Sequence, residues 1–214
     1  HVQGHVEFVG AAQKPDEKQM ATVSVRISPA DGRFTPGSGM TRVSGTGEVT
    51  SQGYAPGLYL VNASAPSGVA GWTLASVMHG GTDVSQTPLE LAGGDVSDLV
   101  FTFTDKKTRL DGTARDASGK PDPSAMAVAF PADTAIALDE PLNARRVRTA
   151  RASSTGAFRF TTLPPGDYYV VGIPADEERW SEPAVLRSMI GRAVRVSVAY
   201  DQPASANVTV RKVQ

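Results

Sequence analysis

A Thr-Gly turn, a two-residue alternation, a Pro-Pro-Gly corner and an aromatic strand follow one another in STGAFRFTTLPPGDYYVVGIPAD, residues 154–176. Gly156 supplies the positive φ of a tight turn. Phe158 and Phe160 then fall on one face of a strand, with Arg159 on the other. Pro164-Pro165-Gly166 ends that strand, because proline cannot donate to a central ladder and glycine accepts a left-handed corner. Asp167-Tyr168-Tyr169-Val170-Val171 carries the aromatic and β-branched side chains that suit a pleated surface. This order predicts a hairpin, with its two arms on either side of the proline corner.

The same grammar occurs earlier as GTGEVTSQGYAPGLYLVNASAP, residues 45–66. Gly47 and Gly156 are 109 positions apart, and so are Pro56 and Pro165. Trp72 and Trp180 are 108 apart, as are Gly4 of VQGHVEF (2–8) and Gly112 of LDGTARD (110–116). TVSVRISPAD (22–31) corresponds to MAVAFPAD (126–133) at a shorter offset of 102, measured from Pro29 to Pro131, so one loop differs in length. DLVFTFT (98–104) corresponds to SANVTVRKV (205–213). So steady an offset predicts tandem domains, 1–107 and 108–214, meeting near Lys106-Lys107 with almost no linker and abutting closely. Some seven short strands in each half predict an all-β chain of two Greek-key-like, immunoglobulin- or transthyretin-like β-sandwiches.

One helix is expected, over SEPAVLRSMIGRA (181–193). Ser181 is the predicted N-cap and Pro183 lies in the first turn. Val185, Leu186, Met189 and Ile190 form the apolar stripe, and Gly191 is the stop. It is expected to cover one end of the second sandwich. The corresponding stretch of the first half, 71–91, reads as strand and loop.

Composition excludes several classes. The chain has 214 residues and no cysteine, so neither a disulfide framework nor a thiolate metal site is available. A formal net charge of −1 favours neither nucleic acid nor an acidic surface. No apolar run approaches the roughly 18 residues of a membrane helix, so membrane insertion is not expected. A first residue His1 rather than Met suggests a processed or partial chain.

The motif order in 110–133 and 154–176 resembles the carboxypeptidase regulatory-like domain, of the wider transthyretin-like and Cna-B-like group. VQGHVEF and YAPGLYLV of the first half resemble it more loosely. The resemblance spans nearly the whole chain. It implies a seven-stranded sandwich in a secreted, periplasmic or cell-surface bacterial setting, outside the cytoplasm. It also implies no enzymatic activity and no cofactor. Such modules serve as spacers, docking surfaces, stalks or sugar-binding additions.

His1, His5 and His79 are the only histidines, and copper at an N-terminal histidine would need a second imidazole facing the first. His5 shares a strand face with His1 but lies about 13 Å away if extended, so no metal site is expected. Asp176-Glu177-Glu178 and Asp139-Glu140 are sequence neighbours in expected loops, and no paired-acid or Ser-His-Asp pattern appears. RRVRTAR (145–151) lacks interleaved aromatics, so it reads as an edge strand kept soluble by charge rather than as a nucleic-acid surface. A Lys–Asn isopeptide bond is not expected either: Asn207 is in the last strand, but only Lys106 and Lys107 flank the first strand of the second half.

Trp72 and Trp180 could stack on a glycan, or could share a packing role at equivalent positions. The first strand places Val2, Val6 and Phe8 on one face, and the polar stretch 10–20 after it could act as a hinge. Three roles are therefore open. The chain is a non-catalytic structural or protein-interaction module working through its β-edges, a filament subunit that donates its first strand to a neighbouring copy, or a carbohydrate-binding module.

Overall fold

The computed structural model describes residues 1–31, 39–133 and 146–212. The chain divides into two compact units, His1–Lys106 and Lys107–Gln214.

The first unit contains β1 (Val2–Val9), α1 (Glu17–Met20), β2 (Ser24–Pro29), β3 (Gly39–Arg42), β4 (Glu48–Thr50) and β5 (Gly57–Ser64), then β6 (Thr73–His79), β7 (Thr82–Asp83), β8 (Leu89–Leu91) and β9 (Val96–Thr104). One sheet runs β4-β1-β9-β6-β7 and the other β3-β2-β5-β8. Their inner faces meet in a single core. Val2, Phe8, Leu99, Phe101 and Phe103 come from the first sheet, and Val25, Ile27, Tyr59 and Val61 from the second. Alternation builds this: in β9, Leu99, Phe101 and Phe103 are fully buried every second residue. Each such side chain contributes about 1.5–3 kcal/mol of transfer free energy.

The second unit contains β10 (Arg109–Arg115), β11 (Ala125–Pro131), β12 (Arg148–Arg151), β13 (Ala157–Phe160) and β14 (Gly166–Pro174), then α2 (Pro183–Met189), β15 (Val194–Val198), β16 (Pro203–Ser205) and β17 (Val208–Thr209). Its sheets run β13-β10-β16, with β17 also on β10, and β12-β11-β14-β15. Apart from β6 and β7, which have no counterpart among the described residues of the second unit, strand order and direction repeat those of the first unit. In each, the opening strand pairs antiparallel with the short strand after the Ser-x-Thr-Gly turn and parallel with the closing strand or strands. The repeated turn is bonded alike: Ser44 and Ser153 N–H donate to Glu48 and Ala157 C=O at 2.9 and 2.8 Å. Gly47 and Gly156 sit at φ of 92° and 74°. The tyrosine hydroxyls match too: Tyr59 donates to Ala55 C=O at 2.9 Å and Tyr168 to Pro164 C=O at 2.7 Å.

The predicted hairpin at 154–176 is not one. β13 pairs with β10, whereas β14 pairs with β11 and β15. The proline corner arches from one sheet to the other. Phe158 and Phe160 then meet Tyr168 and Val170 across the core instead of beside them. Side chains take the corner's carbonyls: Thr108 Oγ1 donates to Leu163 C=O at 2.6 Å, and Tyr168 to Pro164. Prolines without N–H groups can be held this way but cannot carry a ladder.

The helix also differs from expectation. Its N-cap is Glu182, without a side-chain cap bond, and Ser181 ends a preceding 3-10 turn, Arg179–Ser181. A second such turn, Ile190–Arg192, extends the helix. Helix α2 lies on the outer face of β11 and β14 rather than at an end of the sandwich. There Val185, Leu186 and Met189 pack on Met126, Val128, Phe130, Val171 and Ile173. All seven residues of β11 are therefore buried, whereas β2 alternates. Ser24, Arg26 and Ser28 of β2 hold the outward positions that Met126, Val128 and Phe130 hold in β11. A polar outer face needs no cover. The four-residue α1 is a helix beyond the single one that the sequence predicts, and Asp16 and Gln19 form a complete capping box at its start.

Candidate interaction surface

β1 is an interior strand of its own sheet. It runs parallel to β9 from Gly4↔Leu99 to Val9↔Thr104 and antiparallel to β4 at Gln3–His5. Val2 and Phe8 are buried and Val6 is half-buried. The Phe8 ring meets Trp72 edge-on at 4.9 Å and stacks on Phe103 at 5.2 Å. Val2 exchanges bonds with Ser51, its N–H donating to Oγ at 3.0 Å and its C=O accepting at 2.9 Å. The stretch read as a hinge is fastened. Ala11 and Ala12 N–H groups both donate to Asp105 Oδ2 at 2.7 Å, and Trp72 Nε1 donates to Gln13 C=O at 3.0 Å. The Ala12 bond is the main reason that the Asp105 carboxyl is held below its ordinary value.

The two tryptophans occupy different environments. Trp72 is 4% exposed and belongs to the first unit's core. Trp180 is half-buried in the 3-10 turn before α2 and packs with the helix-side cluster. In the basic segment, Arg145 lies outside the described residues, as do Asp139 and Glu140. Arg146 is buried with its guanidinium carbon 5.4 Å from the centre of the Tyr168 ring, and Val147 joins the helix-side cluster. Arg148 and Arg151 belong to β12, an edge strand.

The histidines do not converge: His1 Nδ1 is 3.1 Å from Ser51 C=O, His5 pairs with Glu7 at 3.2 Å, and His79 Nδ1 is enclosed without a hydrogen-bond partner. Among the described residues there is no group of three or more His, Asp or Glu that could hold a metal. Asn207 Oδ1 accepts the Thr113 N–H at 3.1 Å.

The ordered carboxylates serve the fold. Asp83 accepts Val77 N–H at 3.1 Å, Ser85 N–H at 3.0 Å, Ser85 Oγ at 2.6 Å and Gln86 Nε2 at 2.7 Å. Asp111 lies between Arg159 and Arg109, and their hydrogen bonds, Arg159's first, hold its carboxyl low. Asp167 is held low by Ser197 and then Arg195 on the neighbouring strand β15. Asp116 is held low chiefly by Ser118 Oγ, within a turn that also donates Ser118 and Lys120 N–H groups.

Among the described residues, two open surfaces stand out. One is the outer face of the β3-β2-β5-β8 sheet, where Ser24, Arg26, Met40, Asn62 and Ser64 line a shallow groove of about 260 Å³ and Met40 is 64% exposed. The other is a basic cleft formed by Arg115, Arg192, Arg211 and Lys212. Sequence reading found neither, because each gathers single residues from separate strands or turns with no shared motif.

No family model and no curated protein matches the chain. Solved structures do align. The Bacillus anthracis TIE protein is 12% identical over all of this chain and 34% of that one, with a TM-score of 0.30. GBS52, the minor pilin of Streptococcus agalactiae, is 11% identical over 100% of this chain and 97% of that one, at 0.36. The full-length major pilin RrgB of Streptococcus pneumoniae is 10% identical over 100% and 48%, at 0.30. The chain thus spans about a third of the TIE protein and about half of RrgB. At these TM-scores the alignments carry no functional argument.

Proposed function

We propose that this chain is a non-catalytic structural or protein-interaction module of the carboxypeptidase regulatory-like or Cna-B-like kind, working outside the cytoplasm. One observation carries the reading. Five carboxylates are bonded to turns and neighbouring strands, where they fasten a sandwich that the chain builds twice. Asp83, Asp105, Asp111, Asp116 and Asp167 all act in this way. Partner contacts then fall to the outer faces and edge strands, above all β3 and the exposed Met40. A glycan-stacking role would rest on Trp180, since the Trp72 ring is covered.

Light scattering on the whole chain and on one lacking residues 1–9 tests the placement of β1 in this reading. The whole chain is expected to show a discrete mass, and the shortened one a less stable first unit. Long polymers that disappear on shortening would replace this reading with a filament built by strand donation.

A further inference from the structure

In a chain of formal net charge −1, four cations and one carboxylate line a single open cleft of about 830 Å³ in the second unit. The cations are Arg115, Arg192, Arg211 and Lys212, and the carboxylate is Asp116. They come from three places. Arg115 ends β10 and Asp116 begins the turn after it, Arg192 closes the 3-10 turn beyond α2, and Arg211 and Lys212 follow β17. The fold brings them together by bonding the last strand to both sheets. Val210 N–H donates to Arg115 C=O at 2.8 Å, and Arg211 N–H donates to Gly172 C=O at 3.1 Å.

Arg192 is the built part of the site. One Nη donates to Lys212 C=O at 3.0 Å and the other to Arg211 C=O at 3.4 Å, which anchors the backbone that carries those two cations. Its Nε is enclosed and has no hydrogen-bond partner. Burial, and secondly the charge of Arg211, disfavour its protonated form. Among the described residues none of the four cations forms an ion pair. Asp116, kept ionised by two N–H groups and the Ser118 hydroxyl, offsets one of the four charges, and a net positive excess remains. The uncompensated like charges repel one another, and an anion that bridges them relieves that repulsion.

We propose that this cleft binds a ligand bearing two or more phosphate or sulfate groups. The excess of positive charge calls for a polyvalent anion. The volume lies within the roughly 300–1,000 Å³ of small-molecule sites, well beyond a single oxyanion. Planar guanidinium forks match tetrahedral oxyanions bidentately, and Lys212 adds a point charge.

Isothermal titration calorimetry of the whole chain at about 150 mM salt, where distant charges are screened, tests the proposal with two probes, tripolyphosphate and sucrose octasulfate. Saturable one-site binding of at least one probe is expected, and the tighter probe identifies the group. Arg211→Gln and Lys212→Gln, whose side chains make no hydrogen bond to the fold among the described residues, are each expected to weaken it about tenfold with an unchanged melting temperature. Arg195→Gln, which removes a cation outside the cleft, is expected to leave it unchanged. Failure of both probes to bind would overturn the assignment. So would binding that survives Arg211→Gln and Lys212→Gln, or that falls equally with Arg195→Gln.

Discussion

The tyrosine hydroxyls that close the two proline corners make the same bond in different surroundings, so Tyr59→Phe and Tyr168→Phe should differ in cost. Tyr168 is fully buried and its bond to Pro164 C=O is inaccessible to solvent. Removing the hydroxyl leaves that carbonyl without a partner, which costs about 1–3 kcal/mol. The Tyr59 bond to Ala55 C=O is only partly buried. Water can replace the lost donor there, so the cost should approach the net value of an ordinary hydrogen bond, about 0.5–1.5 kcal/mol. For a domain of this size each kcal/mol moves the melting temperature by about 4–8 °C, so a difference between the two is measurable. Each unit contains one of the two tryptophans, Trp72 or Trp180. In a Trp180→Phe background, fluorescence during urea unfolding reports the first unit alone, and in a Trp72→Phe background it reports the second. The reasoning is refuted if Tyr168→Phe costs less than about 0.5 kcal/mol or if Tyr59→Phe proves the more harmful.

Core packing and the bonded carboxylates make further outcomes expected. In Gly112→Ala the new Cβ would stand 2.0 Å from Ala206 C=O, a backbone atom that cannot yield. Calorimetry should show a loss of about 3 kcal/mol in the second unit, at the upper end for overpacking. Phe8→Ala, which opens the contacts with Trp72 and Phe103, should cost about 3–5 kcal/mol, and Leu186→Ala beneath α2 about 2–5 kcal/mol, both read by urea unfolding. Phe8→Ala should not change the molar mass. Acid should weaken both units. The carboxyls of Asp105, Asp111, Asp116 and Asp167 are depressed in the folded chain from an ordinary value of 3.8. Their stabilisation is therefore fully present above that value and is lost as pH falls through the lower folded values. Melting temperatures should be level at mildly acidic pH and drop below pH about 4, with a smaller drop for the first unit of Asp105→Asn.

Much of the fold is legible residue by residue. The alternation of Phe158 and Phe160 about Arg159 predicts which face of β13 is buried, and the pattern of burial agrees. Gly156 takes the positive φ that its turn requires. Even the asymmetry between the units is written locally. Ser24 and Arg26 leave one sheet face polar, whereas Met126 and Val128 leave the matching face apolar and in need of α2. The strand partners are less legible. A period of two states which side of a strand is dry, but two strands flanking a corner satisfy it equally as a hairpin or as an arch between sheets. The helix cap also differs from the local pattern. Ser181 is a good cap by type, yet Pro183 at the first helical position and the preceding 3-10 turn shift the start to Glu182.

The candidate sites divide in the same way. Val2, Val6 and Phe8 show one apolar face in the sequence, and that face points into a core whichever chain supplies it. Only the tertiary structure shows β9 and β4 of the same chain on either side of β1. Trp72 and Trp180 hold matching places in the sequence, but one lies in a sandwich core and the other, half-buried, in the turn before the helix on an outer face. The basic cleft has no signature in the sequence at all. Side-chain periodicity and turn chemistry act between near neighbours, so the sequence by itself determined the strands, their buried faces, the turns and the doubled plan. The meeting of Arg115 with Arg192 and Arg211 depends on how the closing strand joins two sheets, a long-range pairing that no local pattern records and only the tertiary structure decided.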